Sequence, residues 1–132
     1  MRLRARIITL VAVGMVFMAT SCTPAIFAIK SEFAARGATD VEQDNAIRVA
    51  SCESGGGDAY GIQPQVVSRG NWGMFQINWT AQRTRVERLG YTKDQLLDPA
   101  VNARVAADLW SDLGRRFGTS AGWSCARIVG VH

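Results

Sequence analysis

The chain has 132 residues, which is enough for one domain with a modest hydrophobic core. Its formal net charge is +4, but Arg2, Arg4 and Arg6 lie at the N-terminus, so residues 22–132 carry 12 basic and 11 acidic side chains. This near balance, without a long run of lysine or arginine, argues against a nucleic-acid-binding protein.

The first 21 residues have the layout of a secretory signal. A basic segment, residues 1–6, precedes an uncharged apolar run over residues 7–19. The sequence Ala19-Thr20-Ser21-Cys22 follows and resembles a bacterial lipobox, in which the cysteine is lipidated. We predict a signal peptide over residues 1–21; simple cleavage after Ser21 and an uncleaved membrane anchor are the alternatives. All three place the domain outside the cytoplasm, either in the cell envelope or secreted.

The chain has three cysteines, Cys22, Cys52 and Cys125. An odd number in an exported protein leaves one cysteine to explain. If Cys22 is lipidated, Cys52 and Cys125 remain to form a disulfide, and we predict that pair.

The first predicted elements lead up to Glu53. Residues 22–39 are predicted to be a tether with a short helical stretch, and residues 40–132 the domain. Thr39-Asp40-Val41-Glu42 has the spacing of a capping box and predicts a helix that the glycines at 55–57 end. Glu53 therefore falls in the last helical turn, where the helix dipole favours the protonated acid.

The second half of the domain is predicted to be mostly helical. Glycine and proline break residues 55–78 into loop and short strands, and residues 79–89 form a helix. Thr92 and Gln95 have capping-box spacing for another short helix. Asp98 and Pro99 then open a helix that runs to Leu113. The expected fold class is mainly α, a small helical domain with a short β or loop segment.

Glu53 is followed by glycines and then by a strip that contains the amides Gln76 and Asn78, and this combination of residue types is typical of a glycosidase active site. Such an enzyme holds one carboxylic acid protonated so that it donates to a glycosidic oxygen. Apolar residues such as Trp72, Met74 and Phe75 would favour the protonated form of Glu53 by desolvation. Glu53 alone would read as an ordinary surface carboxylate, so its role depends on the downstream motifs.

Those motifs resemble the lysozyme-like superfamily, most closely the soluble lytic transglycosylase (SLT) type. That family reads Glu-Ser-x-Gly, a serine, Gly-Leu-Met/Phe-Gln-Ile and Asp-Pro-x-x-Asn. The resemblance covers about residues 40 to 125. Its matching segments here are Glu53-Ser54-Gly55-Gly56, Ser68, Gly73-Met74-Phe75-Gln76-Ile77 and Asp98-Pro99-Ala100-Val101-Asn102.

The resemblance implies an α+β lysozyme-like fold, with Glu53 as catalytic acid and base and Gln76 lining the substrate cleft. The further predicted substrate-binding residues are Ser68, Trp72, Met74 and Asn78. Trp110 and Trp123 are expected in the core, and Asn102 is expected to hold its helix against the Glu53 loop.

A metal, a cofactor and a serine nucleophile have no support in the sequence. The single histidine is His132, at the end of the chain, and no carboxylates cluster. A Ser-His-Asp triad built on Ser54 or Ser68 is therefore improbable.

The resemblance implies a monomeric enzyme that cleaves the β-1,4 bond between N-acetylmuramic acid and N-acetylglucosamine in peptidoglycan. We predict a transglycosylase, since no Asp or Glu occurs between Asp58 and Glu87 to serve as the second carboxylate of a hydrolase. The alternatives are a hydrolytic muramidase of the same fold and a catalytically silent peptidoglycan-binding lipoprotein. The predicted partners are glycan strands and, through the N-terminal signal or lipid, the membrane.

Overall fold

The computed structural model describes residues 23–56 and 61–132. The predicted signal peptide, Cys22 and Asp58 lie outside the described residues. The predicted mainly α class with a small β segment is confirmed. No helix in residues 23–56 or 61–132 is long and apolar enough to cross a membrane. The helices are α1 (Pro24–Ala35), α2 (Asp40–Glu53), α3 (Trp79–Arg88), α4 (Pro99–Asp112) and α5 (Cys125–Ile128), and the strands are β1 (Val67–Ser68), β2 (Asn71–Trp72) and β3 (Ile77–Asn78).

The segment 22–39 differs from the tether predicted there. From Pro24 onward it is helix α1, which packs mainly against α4 and also against α2. Ile29 and Phe33 are fully buried in the core. Burying an apolar side chain of this size contributes roughly 1.5 to 3 kcal/mol. Helix α1 is therefore part of the folded domain.

Helix α4 forms the centre of the core. Between Asn102 and Trp110 only Arg104 is not buried. The small side chains of Ala103, Ala106 and Ala107 leave room for neighbouring helices to approach closely. Trp110 of α4 belongs to a cluster of five aromatic residues in which the ring centroids of contacting pairs lie 5.3 to 6.0 Å apart; the other four are Phe33, Phe75, Phe117 and Trp123.

Local side-chain hydrogen bonds set the starts of the helices, much as the sequence predicts. The N–H of Thr39 donates to Glu42 Oε2 at 2.8 Å, which completes the capping box of α2. The Asp98 carboxylate accepts from the Ala100 N–H at 2.8 Å and opens α4. The short helix predicted from the capping-box spacing of Thr92 and Gln95 is a 3₁₀ helix, Asp94–Leu97.

The three short strands form an antiparallel sheet in the order β1-β2-β3. Asn102 of α4 holds the turn between β2 and β3: it accepts from the Phe75 N–H at 2.9 Å and donates to the carbonyls of Trp72 and Leu96 at 2.8 and 2.9 Å. The structure thus corrects the expectation that Asn102 supports the Glu53 loop. Gly73 has φ +72°, and a Cβ there would lie 2.3 Å from Asn102 Nδ2, so no side chain fits.

Candidate active site

Glu53 lies on an open cavity of about 230 Å³. It is the only charged side chain among the described residues that line the cavity. We divide its lining residues into two groups according to the segments that carry them. We call the first the acid wall: Glu53, Leu109, Ala121, Gly122, Trp123 and Ser124. We call the second the amide wall: Asn71, Gln76, Ile77, Asn78, Ala81 and Gln82.

The carboxyl group of Glu53 is oriented by the segment that precedes α5. Glu53 is the last residue of α2 and is half-buried. The Cys125 N–H donates to Glu53 Oε1 at 2.9 Å, and the Ser124 hydroxyl approaches the same oxygen at 3.4 Å. Within the described part of the chain, no hydrogen bond reaches Oε2. One carboxyl oxygen is thus fixed by the protein, and the other is available to a ligand.

A disulfide joins the two segments that make this contact. Cys52 and Cys125 are bonded, with their Cα atoms 5.8 Å apart and a sequence separation of 73. The predicted pairing is confirmed. Because Cys52 precedes Glu53 and the Cys125 N–H donates to Glu53, the bond clamps the acid to its hydrogen-bond donor.

Gln76 faces the cavity from a strained backbone position. Its φ is +47°, in the left-handed region that residues other than glycine rarely adopt. Its side-chain Nε2 donates to the carbonyls of Gly73 and Val66 at 2.9 and 3.2 Å. Since both partners are acceptors, the amide orientation is determined, and Oε1 has no hydrogen-bond donor among the described residues. This oxygen can accept from a hydroxyl or an amide N–H of a ligand.

Asn78 combines a structural role with a place in the amide wall. Its Oδ1 accepts from the Ala81 N–H at 2.9 Å and caps α3, while its Nδ2 donates to Asn71 Oδ1 at 2.9 Å. The amide nitrogen of Asn71 has no acceptor among the described residues. Asn71 was missed by the sequence reasoning, although its strand pairing opposite Asn78 places it there. Gln82, also missed, lies one helical turn after Asn78.

Three predicted substrate-binding residues do not line the cavity: Ser68, Trp72 and Met74. Met74 is fully buried in the core, as is Phe75, so neither is the apolar wall expected beside Glu53. That wall is formed by Leu109 and Trp123. Trp72 follows Asn71 in β2, and successive strand residues point to opposite faces. Its ring lies 5.2 Å from Lys93 Nζ instead.

Ser68 and Ser54 also have positions that the motifs did not indicate. Ser68 is exposed in the edge strand β1. Ser54 is buried, and its hydroxyl accepts from the Gln63 N–H at 3.0 Å, which fixes the return of the loop after Glu53. Neither serine has a hydrogen bond to a histidine among the residues that the structure describes. Ser54 thus supports the backbone of the loop, and Ser68 is a surface residue.

Trp123 is buried at the edge of the core, as predicted, and it also borders the cavity. Its indole N–H donates to the Phe75 carbonyl at 2.8 Å, and its side chain is 6% exposed. It nevertheless lines the cavity beside Glu53. Trp110, by contrast, is fully buried, as expected.

A buried carboxylate, Asp108, positions α3 and hence one end of the amide wall. It pairs with Arg85 and with Arg88 at 2.7 Å from α3, and with Arg36 at 2.7 Å from the end of α1. Burial opposes the ionisation of Asp108, but the hydrogen bonds from Arg85, Arg88 and Arg36 outweigh burial and hold the pKa of its carboxyl below the usual value.

No group of three or more His, Cys, Asp or Glu side chains within residues 23–56 and 61–132 is arranged to hold a metal ion. A carboxyl group with one oxygen fixed shares the cavity with amide side chains, of which Gln76 Oε1 and the Asn71 nitrogen have no hydrogen-bond partner among the described residues. Such an arrangement suits a ligand that carries hydroxyl and acetamido groups.

Comparison with known proteins agrees with this geometry. The family model described as "Transglycosylase SLT domain" matches residues 31–127, which is more than half of the chain. No curated protein and no solved structure matches. The chain therefore belongs to the transglycosylase SLT domain family, whose substrate is peptidoglycan.

Proposed function

We propose that the protein is a lytic transglycosylase that cleaves the β-1,4 bond between N-acetylmuramic acid and N-acetylglucosamine, with Glu53 as its single catalytic carboxylate. The observation that carries this proposal is the charge content of the cavity. Glu53 faces a wall of neutral amides, and no second carboxylate lines the cavity in the described part of the chain.

Glu53 acts twice in the proposed reaction. It first donates a proton to the glycosidic oxygen, and the bond from that oxygen to C1 of the muramic residue breaks. As a carboxylate, it then accepts the proton of the muramic C6 hydroxyl while that oxygen attacks C1. The product is a 1,6-anhydromuramic end, and Glu53 regains its proton. The attacking group belongs to the substrate, so the reaction benefits from the high effective molarity of an intramolecular step.

A hydrolase would need an additional group. It generally uses a second carboxylate as nucleophile or as base for water. Asp58 is the one acidic residue close to Glu53 in the following sequence, and the next is Glu87. The amide wall offers hydrogen-bonding groups for a sugar but no base of comparable strength. This composition favours the intramolecular route.

The amide wall supplies the groups that would hold the substrate. Gln76 Oε1 can accept from an acetamido N–H or a hydroxyl, and the amide nitrogen of Asn71 can donate to a carbonyl. Leu109 and Trp123 offer apolar surface to a sugar ring. We assign the binding of the sugar next to the scissile bond to these residues.

Export to the cell envelope is part of the proposal, because peptidoglycan lies outside the cytoplasm. The sequence of residues 1–22 supports a signal peptide with lipidation at Cys22. A diacylglycerol anchor would hold the enzyme firmly at the membrane. The mass of the N-terminal peptide, acylated at Cys22 or not, tests this assignment.

Replacement of Glu53 by glutamine tests the proposed reaction. Glu53→Gln keeps the shape and the contact with the Cys125 N–H but has no acidic proton to donate. We expect lytic activity on purified peptidoglycan to fall by at least about a hundredfold. Asp58→Asn is the matched control and should retain most activity. Circular dichroism should show both variants folded.

The products separate this proposal from its alternatives. Muropeptides from a transglycosylase are lighter by one water than those from a hydrolase, so mass spectrometry distinguishes them. Reducing-end products together with loss of activity in Asp58→Asn would indicate a two-carboxylate muramidase. Glycan binding without any cleavage would indicate a silent binding protein.

A further inference from the structure

Helix α1 packs into the domain from its first turn. It begins at Pro24, directly after its N-cap Thr23. In the sequence, Thr23 is the one residue between Cys22 and the helix. A group attached to Cys22 is therefore joined almost directly to the folded domain. Three side chains of the first two turns are already buried in the core: Ala25, Ala28 and Ile29.

The two anchored forms of the N-terminus both place a bilayer at the start of α1. In one, a lipid is attached to Cys22; in the other, the uncleaved apolar run over residues 7–19 stays in the membrane. Two extended residues span at most about 7 Å, so a lipid on Cys22 holds Pro24 at the membrane surface. In both forms the chain carries no charged residue between Arg6 and Lys30, so its uncharged part continues into α1.

Phe27 points away from the core at this end of the helix. It is 66% exposed and is the one aromatic residue among the exposed large hydrophobic side chains of the described residues. Single exposed apolar residues are common on soluble proteins, so exposure alone decides nothing. Phe27 differs in its place, because it lies three residues after Pro24, about 4.5 Å along the helix axis. A bilayer at the start of α1 is therefore within reach of its ring.

The outward side of α1 becomes charged one turn farther from the anchor. Pro24, Phe27 and Lys30 are spaced three residues apart, so they lie on one side of the helix, and all three are exposed. Lys30 Nζ lies 3.7 Å from Asp44 Oδ1, and both side chains reach solvent, so this ion pair is weak. An apolar ring followed by a lysine suits an interface, where the ring enters the headgroup region and the ammonium group lies near the lipid phosphates.

We propose that the exposed side of α1 at its start is a membrane-contact surface, in which the Phe27 ring enters the headgroup region and Lys30 lies level with the lipid phosphates. This inference rests on the anchored location that is part of the proposed function, but it concerns a surface apart from the Glu53 cavity. The partner is a lipid bilayer, because the anchor and the exposed ring lie at the same end of one helix.

The contact would hold the Glu53 cavity near the bilayer. Residues 36–39 join α1 to α2, and the contact between Lys30 and Asp44 shows that α2 runs back along α1. Glu53 ends α2, so it lies toward the end of α1 that begins at Pro24. The enzyme would then cleave glycan strands next to the membrane, whereas a flexible tether would let it reach strands farther away.

Fluorescence quenching measures the contact on the full chain. The acylated protein is placed in vesicles of phosphatidylethanolamine and phosphatidylglycerol, with a polarity-sensitive fluorophore on Phe27→Cys. Because Cys52 and Cys125 are paired and Cys22 is acylated, the introduced cysteine is the only free thiol. We expect the label to be quenched by lipids that carry a spin label near the headgroups and to be protected from iodide in the water.

Val41→Cys with the same fluorophore is the matched control. Val41 is 69% exposed, almost as Phe27 is, but it lies in the first turn of α2, beside the end of α1. The label there should be quenched by iodide and not by the spin-labelled lipid. Equal behaviour of the two positions would overturn the proposal, because the fluorophore rather than the fold would then determine the contact.

This measurement is independent of the proposed reaction. Cleavage of soluble glycan strands is followed on the same preparations in detergent, where no bilayer is present. Lipid contact at position 27 without any cleavage refutes the proposed reaction and leaves the membrane-contact surface in place. Cleavage without lipid contact does the reverse. A mature chain that begins at Cys22 without acylation refutes the anchor and the membrane-contact surface together.

Discussion

The two walls of the Glu53 cavity are held together in different ways. The acid wall joins segments far apart in the chain: Cys52 and Cys125 form the disulfide, and the Cys125 N–H donates to Glu53. The amide wall is a hairpin and a helix start that are consecutive in sequence. Asn102 secures its turn, and Asn78 caps the helix that follows.

This difference separates two requirements of the site. The amide wall has to present polar atoms to a ligand, and hydrogen bonds without a covalent link are sufficient for that. The acid wall has to hold one carboxyl oxygen at a defined place, and it does so with a covalent bond next to the reacting residue. We therefore expect damage to the acid wall to affect activity more than damage of equal energy to the amide wall.

Removal of the disulfide should have the largest effect on stability. Cys52→Ser combined with Cys125→Ser opens a loop of 73 residues, and chain entropy predicts a loss of roughly 4 to 5 kcal/mol in the free energy of unfolding. Activity should fall even where the protein remains folded, because Glu53 loses the fixed position of its donor. Urea denaturation and a lysis assay on the same samples measure both effects. Reduction of the wild-type protein should reproduce them, and a loss below about 1 kcal/mol would contradict the clamp.

Asn102→Ala should cost roughly 3 kcal/mol. It leaves the Phe75 N–H and the carbonyls of Trp72 and Leu96 buried without partners, each at a cost of about 1 to 3 kcal/mol that relaxation reduces. Urea denaturation measures the loss. Asn78→Ser is the control within the same wall, since serine still caps α3, and should cost less than about 1 kcal/mol.

The outcome for Asn102 also tests the difference between the walls. At equal loss of stability, Asn102→Ala should retain more activity than the cysteine variant. The activity that Asn102→Ala does lose should appear mainly as a higher KM. If it abolishes activity in the folded protein, the amide wall needs the same precision as the acid wall.

The smallest expected effect concerns acid stability. The pKa of Asp108 is lowered in the fold, so its contribution is fully present above the ordinary aspartate pKa of about 3.9 and is lost as the pH falls through the lowered value. Asp108→Asn should cost about 2 kcal/mol at pH 7, less than for a fully enclosed pair because the arginines reach solvent. Below the lowered pKa the difference between wild type and variant should shrink. A difference that does not change with pH would exclude this role.

The features that the sequence predicted best are helix starts and ends, because they depend on residues close together in the chain. The caps at Thr39 and Asp98 placed α2 and α4, and the helical boundary placed Glu53 at the end of α2. The disulfide was inferred by counting cysteines. Residues 22–39 were predicted to be a tether with a short helical stretch. The packing of helix α1 against α4 was not predicted, because no local sequence pattern reports it.

The predicted binding residues show the same limit. Gln76 and Asn78 line the cavity, but Trp72 does not, because the side of a two-residue strand that faces the ligand depends on register. Met74 does not line it either, because it lies in the turn between β2 and β3 and is buried in the core. The role of the segment before Cys125 could have been inferred, since a bond from Cys125 to Cys52 places Ser124 beside Glu53.

The span of 73 residues between the two cysteines also sets an order of events during synthesis. The ribosome releases the segment that bears Glu53 well before the one that bears its hydrogen-bond donor. Contacts between distant residues form late in folding because the intervening chain must first be ordered. The nascent protein can thus acquire its helices while its acid is not yet oriented. Glu53 acquires its hydrogen-bond donor only when residue 125 has been released and has paired with Cys52.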